Sequence, residues 1–229
     1  MMPDYRYEIK FVLNEAALAG FLSWMYLNTS CREKYPHRMV NSVYFDNINF
    51  KSVRDNLTGT ADRMKTRLRW YQSENNHLIS TPVWEQKLKS GRLGTKEKVK
   101  LHNFGDAIHN SPISEIINLI KHKLPENHSS TFDYLIPTLG VSYLRHYYED
   151  FRELRITIDE NIAFKSHLSM SEPLNKNRNI AYGSKIVELK FDPLLKNEIK
   201  ELIRPLRLTP VRHSKYLTGL AMSGLARYL

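Results

Sequence analysis

The sequence predicts an α+β fold in which eight antiparallel β-strands close into a barrel and helices pack against its outside. Eight segments alternate polar and apolar side chains with a period of two, which is typical of antiparallel strands. Helical patterns interrupt them without the regular strand–helix alternation of a parallel sheet. The 229 residues contain only 9 glycines and 10 prolines, scattered along the chain. We therefore expect a single domain over residues 1–229.

A strand and a helix open the chain. Alternation predicts a strand over residues 6–13, and Asn14 can cap a helix that continues to about Leu27. Further strands are predicted at residues 40–45, 63–71, 83–89 and 95–101. Ser90 and Gly91 form the predicted turn between the last two of these strands.

The second half of the chain adds a helix, three strands and two more helices. Isoleucines at helical spacing predict a helix over residues 114–123, which ends before Pro125. Strand patterns then cover residues 138–148, 154–159 and 185–191, and helical patterns cover residues 193–206 and 214–228.

The predicted strand over residues 63–71 has a face made entirely of cations. Arg63, Lys65, Arg67 and Arg69 occupy alternate positions, so all four side chains point to one side. Like charges spaced by about 7 Å are unfavourable unless water, acids or an anionic ligand neutralise them. This strand therefore predicts a surface that attracts an anion.

Five other segments share this design of charged residues alternating with apolar ones. Their charged positions are Arg6, Glu8 and Lys10; Glu85, Lys87 and Lys89; Lys96, Lys98 and Lys100; Arg155 and Asp159; and Glu188 and Lys190. Two arrangements are possible: a sheet whose charged side faces water, or a barrel whose charged side faces inward. A cationic interior must stay wet or hold a polyanion, and Arg and Lys match phosphate oxygens.

The composition restricts the partners. A formal charge of +10 predicts an anionic partner, and we expect no nucleic acid, because the aromatic residues tend to alternate to the face opposite the charges. Cys31 is the only cysteine, which excludes an intramolecular disulfide and a cysteine-based zinc site. Neither a signal peptide nor a membrane span is predicted, so we expect a cytoplasmic protein.

With these charged segments, the chain resembles the vacuolar transporter chaperone (VTC) domain. This domain is a polyphosphate-polymerase branch of the triphosphate tunnel metalloenzymes, which are also called CYTH-like. The resemblance covers about residues 5–220. It rests on nine segments in order: residues 6–10 (RYEIK), 42–46 (SVYFD), 65–71 (KTRLRWY), 85–89 (EQKLK), 96–98 (KEK), 143–145 (YLR), 155–159 (RITID), 187–190 (VELK) and 214–216 (SKY).

The resemblance implies a tunnel of eight strands whose basic side chains bind a triphosphate or a growing polyphosphate chain. The implied catalytic residues are Lys10, Arg67, Arg69, Lys87, Arg145, Arg155, Glu188 and Lys215. Further phosphate-binding positions on the same faces are Lys65, Lys89, Lys96, Lys98 and Lys190. Glu188 is the principal candidate ligand for Mn²⁺ or Mg²⁺. Glu8 and Glu85 are further candidates, although either of them could instead balance neighbouring lysines.

Two positions depart from the pattern. Tunnel metalloenzymes in general open with Glu-x-Glu-x-Lys, and Arg6 replaces the first acid here, as in the VTC branch, which puts a second metal in doubt. Lys98 occupies a position where the branch often has arginine. Lysine keeps the positive charge but cannot donate the two parallel hydrogen bonds of a guanidinium group.

The implied activity is transfer of the γ-phosphoryl group of ATP to phosphate or polyphosphate. A metal-dependent tripolyphosphatase or nucleoside triphosphatase, and a polyphosphate-binding module without catalysis, are the alternatives. Relatives in eukaryotes carry membrane segments, so docking to a membrane-protein partner at the inner face of a membrane is a further expectation. The oligomeric state is left open.

Overall fold

The computed structural model describes residues 6–72, 80–90, 93–166, 168, 170–174 and 179–225. In this part of the chain nine strands belong to one large antiparallel sheet. They are β1 (Tyr7–Leu13), β2 (Arg32–Asp46), β3 (Arg63–Gln72), β4 (Val83–Ser90), β5 (Leu93–Lys100), β6 (Ile136–Glu149), β7 (Arg155–Lys165), β8 (Asn179–Tyr182) and β9 (Lys185–Phe191). The helices are α1 (Glu15–Asn28), α2 (Lys51–Leu57), α3 (Gly105–Asn110), α4 (Ile113–Lys123), α5 (Glu126–Phe132), α6 (Lys196–Ile203) and α7 (Lys215–Met222).

Eight strands follow one another in the sheet, in the order β1-β9-β7-β6-β2-β3-β4-β5, and the short β8 pairs with β7 beside this path. The predicted α+β class and the antiparallel sheet are confirmed. The path has the predicted eight strands, and β8 is a ninth that the sequence did not predict. Closure of the path into a barrel stays a prediction.

The chain divides into two compact units, each assembled from three segments. Unit 1 comprises residues 1–38, 143–162 and 182–213, and unit 2 comprises residues 39–142, 163–181 and 214–229. The strands β2, β6, β7 and β8 contribute residues to both units. The expectation of a single domain stays a prediction.

The core of unit 1 lies between α1 and the apolar sides of β1, β7 and β9. The Asn14 side chain accepts a hydrogen bond from the Ala17 amide at 2.9 Å, which confirms the predicted cap of α1. Phe21 of this helix packs in one buried cluster with Phe11 and Leu189. Because strand side chains alternate, the charged residues of β1 and β9 point away from this core.

The core of unit 2 covers the apolar side of β3 and β4. Leu68 and Trp84 are almost completely buried and form a cluster with Ile116 of α4 and Phe132 of α5. Burial of an aromatic side chain removes about 150–250 Å² from water, which strongly favours this orientation of the strands. The arginines and lysines of β3 and β4 consequently lie on the opposite face of the sheet.

Several elements differ from the predicted ones. β2 and β7 are longer than predicted, and α2, α3 and α5 were not predicted. The predicted helix over residues 193–206 contains α6 between two 3₁₀ turns, Pro193–Leu195 and Arg204–Leu206. Part of the predicted turn at Gly91 and the end of the predicted helix, residues 226–228, lie outside the described residues.

Candidate phosphate-binding and metal-binding clusters

Three lysines of unit 2 lie side by side across three adjacent strands. Lys65 of β3 pairs with Lys87 of β4, and Lys87 pairs in turn with Lys96 of β5. Direct partners in neighbouring strands project to the same side of a sheet, and neighbouring strands lie about 4.8 Å apart. We call these residues the lysine rung. Three ammonium groups at this spacing repel one another, so the rung favours the binding of an anion.

The next positions along β3 and β4, together with Lys96 of the rung, form an arginine cluster, which consists of Arg67, Arg69, Glu85 and Lys96. Arg67 Nε donates to Glu85 Oε2 at 2.6 Å, and Lys96 Nζ lies 2.6 Å from Glu85 Oε1. Arg69 Nη1 lies 4.0 Å from the same carboxylate. Burial raises the pKa of Glu85, but Arg67, Arg69 and Lys96 outweigh it and lower the pKa to about 2.

One buried carboxylate therefore faces three cations in this cluster, which leaves an excess of positive charge. Burial, with repulsion by Arg67 and Arg69, lowers the pKa of Lys96 to about 8, although Glu85 opposes this shift. The contacts of Glu85 favour the alternative in which it balances neighbouring cations. Its role as a metal ligand stays a prediction.

Tyr44 contacts the arginine cluster, although it was not predicted to be a site residue. Arg67 Nη1 donates to the Tyr44 hydroxyl at 3.3 Å, and the two residues pair across β2 and β3. The Tyr44 ring stacks on Tyr216 with centroids 4.9 Å apart. Burial raises the pKa of Tyr44, but Arg67 and Arg69 outweigh it and lower the pKa to about 8. Alternation along β2 could have identified Tyr44. Ser42 and Tyr44 are two residues apart and lie opposite Arg69 and Arg67, so their side chains share the face of the arginines.

Tyr216 is held in place by two buried polar groups. Its hydroxyl donates to Asp46 Oδ2 at 3.0 Å and lies 3.0 Å from the Thr138 hydroxyl. Burial and the Asp46 carboxylate raise the pKa of Tyr216, so it stays a neutral phenol. These two hydrogen bonds hold the Tyr216 ring in the position where Tyr44 stacks on it.

The N-terminus of α7 lies next to the lysine rung. Ser214 caps this helix of eight residues, and Lys65 Nζ donates to the Ser214 hydroxyl at 3.4 Å. Lys215 is the first residue of α7, and its charge contributes to the lowered pKa of Tyr44. Unpaired amides and the helix dipole favour anions at such an end.

Unit 1 contains a second cluster, which we call the Glu188 cluster: Glu8, Lys10, Glu188 and Lys190. Lys10 Nζ lies 2.6 Å from Glu8 Oε1 and 3.4 Å from Glu188 Oε2. Lys190 also forms ion pairs with both carboxylates. Burial raises the pKa of Glu188, but Lys190, Lys10 and Arg145 outweigh it and lower the pKa to about 2. Glu188 is therefore a carboxylate at neutral pH.

The Asp159 carboxylate fixes the orientation of the Arg145 guanidinium. Its Nε and Nη2 donate to the two carboxylate oxygens of Asp159 at 2.5 and 2.7 Å, in a bidentate pair. Burial disfavours the charge of Arg145, but Asp159, Tyr143 and Glu188 outweigh it and keep its pKa above the usual range. The structure thus places Arg145 within the electrostatic reach of Glu188.

Three predicted positions lie at the margins of these clusters. Arg155 pairs with Lys190 across β7 and β9, but its side chain is 46% exposed and its Nε donates to Glu149. Lys98 is exposed and pairs with Glu85 across the strands, and Lys89 pairs with Arg63 at the end of β4. Their phosphate-binding roles stay predictions.

The Glu188 cluster also provides oxygen ligands suitable for a hard cation. In the described part of the chain, no group of three or more His, Cys, Asp or Glu side chains is arranged to hold a metal ion. Mg²⁺, however, usually binds one or two carboxylates together with phosphate oxygens, and Glu188 with Glu8 meets that requirement. The Thr157 hydroxyl, opposite Glu188 in β7, is buried without a hydrogen-bond partner among the described residues. This set of oxygens fits Mg²⁺ or Mn²⁺ bound jointly with a phosphate ligand.

Comparison with protein families gives one match that covers most of the chain. The family model of the VTC domain matches residues 5–223. This range includes every residue of the lysine rung, the arginine cluster and the Glu188 cluster. No curated protein matches the sequence.

Solved structures with the same fold have low sequence identity to this chain. A candidate adenylyl cyclase from Hippeastrum, described as having a dominant triphosphatase activity, is 13% identical, with a TM-score of 0.56 over 96% of each chain. A candidate adenylate cyclase from Vibrio parahaemolyticus is 11% identical, with a TM-score of 0.53 over 96% of this chain and 99% of that one. At this identity the likeness establishes the fold.

The length and polarity of the helices were compared with those of membrane-spanning helices. Among the residues that the structure describes, every helix is too short or too polar to span a lipid bilayer.

Proposed function

Because the chain belongs to the VTC domain family, we propose that it is a polyphosphate polymerase that transfers the γ-phosphoryl group of ATP to phosphate or polyphosphate. The observation that carries this proposal is the lysine rung beside the arginine cluster. These cations are concentrated on one face of three strands and are only partly neutralised by Glu85. A chain of phosphates is a ligand that matches both their charge and their linear arrangement.

The proposed reaction needs positioning and charge neutralisation rather than a covalent nucleophile. An acceptor phosphate oxygen forms a bond to the γ-phosphorus while the bond between that phosphorus and the β,γ-bridging oxygen breaks, which releases ADP. In unit 2, Arg67, Arg69 and the lysine rung bind phosphate oxygens. In unit 1, Glu188 and Glu8 would hold Mg²⁺ or Mn²⁺, with Lys10 and Arg145 in the same unit. When bound, the cation neutralises charge on the phosphate oxygens.

We also propose that the path of eight strands closes into a barrel with its charged faces inward. Support comes from the fold shared with the family and from the helices that cover the apolar faces of both units. A closed barrel excludes bulk water from its interior better than an open sheet does, which strengthens every phosphate contact.

Product analysis tests the polymerase directly. The purified chain is incubated with ATP and Mn²⁺, and the products are separated on a polyacrylamide gel stained for polyphosphate. We expect ADP together with a ladder of long chains that an exopolyphosphatase removes. Consumption of ATP with orthophosphate as the only phosphate product would contradict the polymerase.

That second outcome defines the second candidate, a metal-dependent triphosphatase. The triphosphatase activity described for the Hippeastrum protein of the same fold favours it. The same cations would bind the triphosphate, and water would replace phosphate as the acceptor. Release of orthophosphate from tripolyphosphate without chain growth identifies this activity.

We further propose a cytoplasmic location with docking to a membrane-protein partner. The formal charge of +10 supports the location at the inner membrane surface, where anionic lipids attract a basic protein, and a protein partner would add binding that salt does not disrupt. Fractionation of cells tests it: we expect part of the protein in the membrane fraction, where high salt alone does not release it. Complete release by salt would contradict a protein partner.

A further inference from the structure

A large cavity opens in unit 2, where β3 begins and β4 ends. Its volume is about 790 Å³, within the range of about 300–1,000 Å³ that is typical of small-molecule sites. Residues of the loop after β2, of α2 and of the segment after α5 complete its walls. Neither the polymerase nor the triphosphatase reaction, as described above, uses this cavity.

Both faces of the sheet contribute to the cavity. Arg63 and Lys89 pair across the strands and belong to the cationic face, whereas Met64 and Leu88, the next pair, belong to the apolar face. The cavity therefore surrounds the end of the sheet at this point. It connects the cationic row with an apolar wall.

The cationic row continues directly from the cavity toward the arginine cluster. A strand rises about 3.3 Å per residue, so Lys65 follows Arg63 at about 7 Å and Arg67 follows at about 13 Å. These lengths suit a triphosphate group that starts at Arg63 and Lys89 and extends to the lysine rung. A ligand group in the cavity can therefore be covalently attached to a triphosphate that lies along these cations.

The rest of the lining combines two apolar residues with polar ones, among them Asn47, Lys51, Asp55 and Thr95. Leu135 and Tyr134, which is 79% exposed, line the cavity together with Met64 and Leu88. The Asp46 carboxylate accepts hydrogen bonds from the Ser52 amide and the Tyr216 hydroxyl, so it serves the fold. Asp62 and Ser90 are polar, exposed and part of the lining. A flat apolar group with hydroxyls at its edge would fit these surroundings.

We propose that this cavity binds the nucleoside of ATP, with the base against Met64, Leu88 and Tyr134 and the ribose hydroxyls toward Asp62. The triphosphate then extends from Arg63 and Lys89 along β3. This inference rests on the proposed function and adds the means by which the chain distinguishes a nucleoside triphosphate from inorganic tripolyphosphate. A polyphosphate product has no nucleoside and leaves the cavity empty.

Two substitutions that fill the cavity test the proposal. Leu88→Trp and Met64→Trp are compared with Ile48→Trp, a matched control at an exposed residue that is outside the cavity lining. Affinities for ATP and for tripolyphosphate are measured by isothermal titration calorimetry. We expect the two cavity variants to lose at least about tenfold in ATP affinity and less than about twofold in tripolyphosphate affinity. Equal losses for both ligands, or no loss for either, would overturn the nucleoside site.

Photolabelling of the unmodified protein gives a result that does not depend on folding of the variants. The chain is irradiated with 8-azido-ATP, digested and analysed by mass spectrometry. We expect ATP-protected labels on peptides that contain residues 62–64, 88–90 or 134–135. Labels confined to other peptides would refute the assignment.

The two measurements separate this inference from the proposed function. If the unmodified chain binds neither ATP nor tripolyphosphate, both the proposed function and the nucleoside site fail. If it binds both ligands but the cavity variants keep their ATP affinity, the nucleoside site alone fails. A change in oligomeric state of Leu88→Trp with unchanged ATP affinity would instead identify a second copy of the chain as the occupant and would also overturn the proposal.

Discussion

Two glutamates of the charged faces are held as carboxylates in different ways. Among the residues that the structure describes, the Glu85 carboxylate forms ion pairs with Arg67, Arg69 and Lys96. Glu188 shares two lysines with a second carboxylate, Glu8, and lies opposite the buried Thr157 hydroxyl. From this difference we propose that Glu188 binds the metal ion and that Glu85 is a counterion.

A pair of matched variants separates these roles. We expect Glu188→Gln to abolish turnover of ATP with Mn²⁺ while tripolyphosphate still binds, because the change removes a metal ligand and no cation. We expect Glu85→Gln to keep the Mn²⁺ dependence of turnover and to lower the melting temperature, because three cations lose their counterion. Turnover is measured as ADP release over a series of Mn²⁺ concentrations. Wild-type rates for Glu188→Gln would remove it from the metal site.

The arginine cluster also makes binding depend on pH. Lys96, whose pKa is lowered to about 8, loses its positive charge as the pH rises, and Tyr44, whose pKa is lowered to about 8, gains a negative one. Both changes disfavour an anionic ligand, so tripolyphosphate affinity should fall between pH 7 and pH 9. Calorimetry at pH 7, 8 and 9 measures this fall.

Two variants serve as controls for that pH dependence. Lys96→Arg keeps its charge throughout the range, and Tyr44→Phe cannot ionise, so each variant should lose less affinity than the wild type. The ionisation of tripolyphosphate is the same in all three titrations and cancels in the ratio of variant to wild type. Parallel curves for wild type and both variants would exclude Lys96 and Tyr44 as the titrating groups.

At the scale of elements, the alternation of β3 with its neighbours determines which side chains can bind phosphate. We expect Arg67→Ala or Arg69→Ala to weaken tripolyphosphate binding by about 1.5–3 kcal/mol, the range for a hydrogen bond to a charged group. Arg54→Ala removes the same charge from the exposed surface of α2 and is the matched control. Calorimetry measures the loss, and equal effects of all three variants would indicate general electrostatics instead of a site.

Strand periodicity explains why so many of these elements were predictable. One face is apolar and buried and the other carries charged side chains in four strands, β1, β3, β4 and β9. Their sequence pattern therefore predicted their approximate bounds and the face on which their cations lie. The partners of those cations were not predictable. The contact of Arg67 with Tyr44 depends on the register between β2 and β3, which the sequence of a single strand does not determine.

The elements that were missed lack a periodic signal. The first half of β2 contains Pro36 and exposed polar residues, and proline within a run argues against a strand. β7 continues past Asn161, which has a φ of 50°, a conformation that disrupts regular alternation. α2 has only seven residues and begins after Phe50, which has a φ of 51° and provides no side-chain cap. Such elements depend on tertiary packing for their stability.

At the scale of the whole molecule, the ends of the strand path determine whether the charged faces enclose a channel. β1 and β5 terminate the path of eight strands. In an open sheet, the outer edges of these two strands would carry unpaired amides, and an unpaired amide exchanges with solvent rapidly. In a closed barrel every strand has partners on both sides.

Hydrogen exchange therefore tests the closure. We expect amides over all of β1 and β5 to be protected to a degree similar to those of β9 and β4, their partners in the sheet. The short β8, which pairs with β7 beside the path, provides an internal reference for a less protected strand. Exchange is followed by NMR or mass spectrometry of the unliganded chain. Rapid exchange of alternate amides along β1 and β5 would show that the sheet is open, and the phosphate-binding clusters would then face solvent.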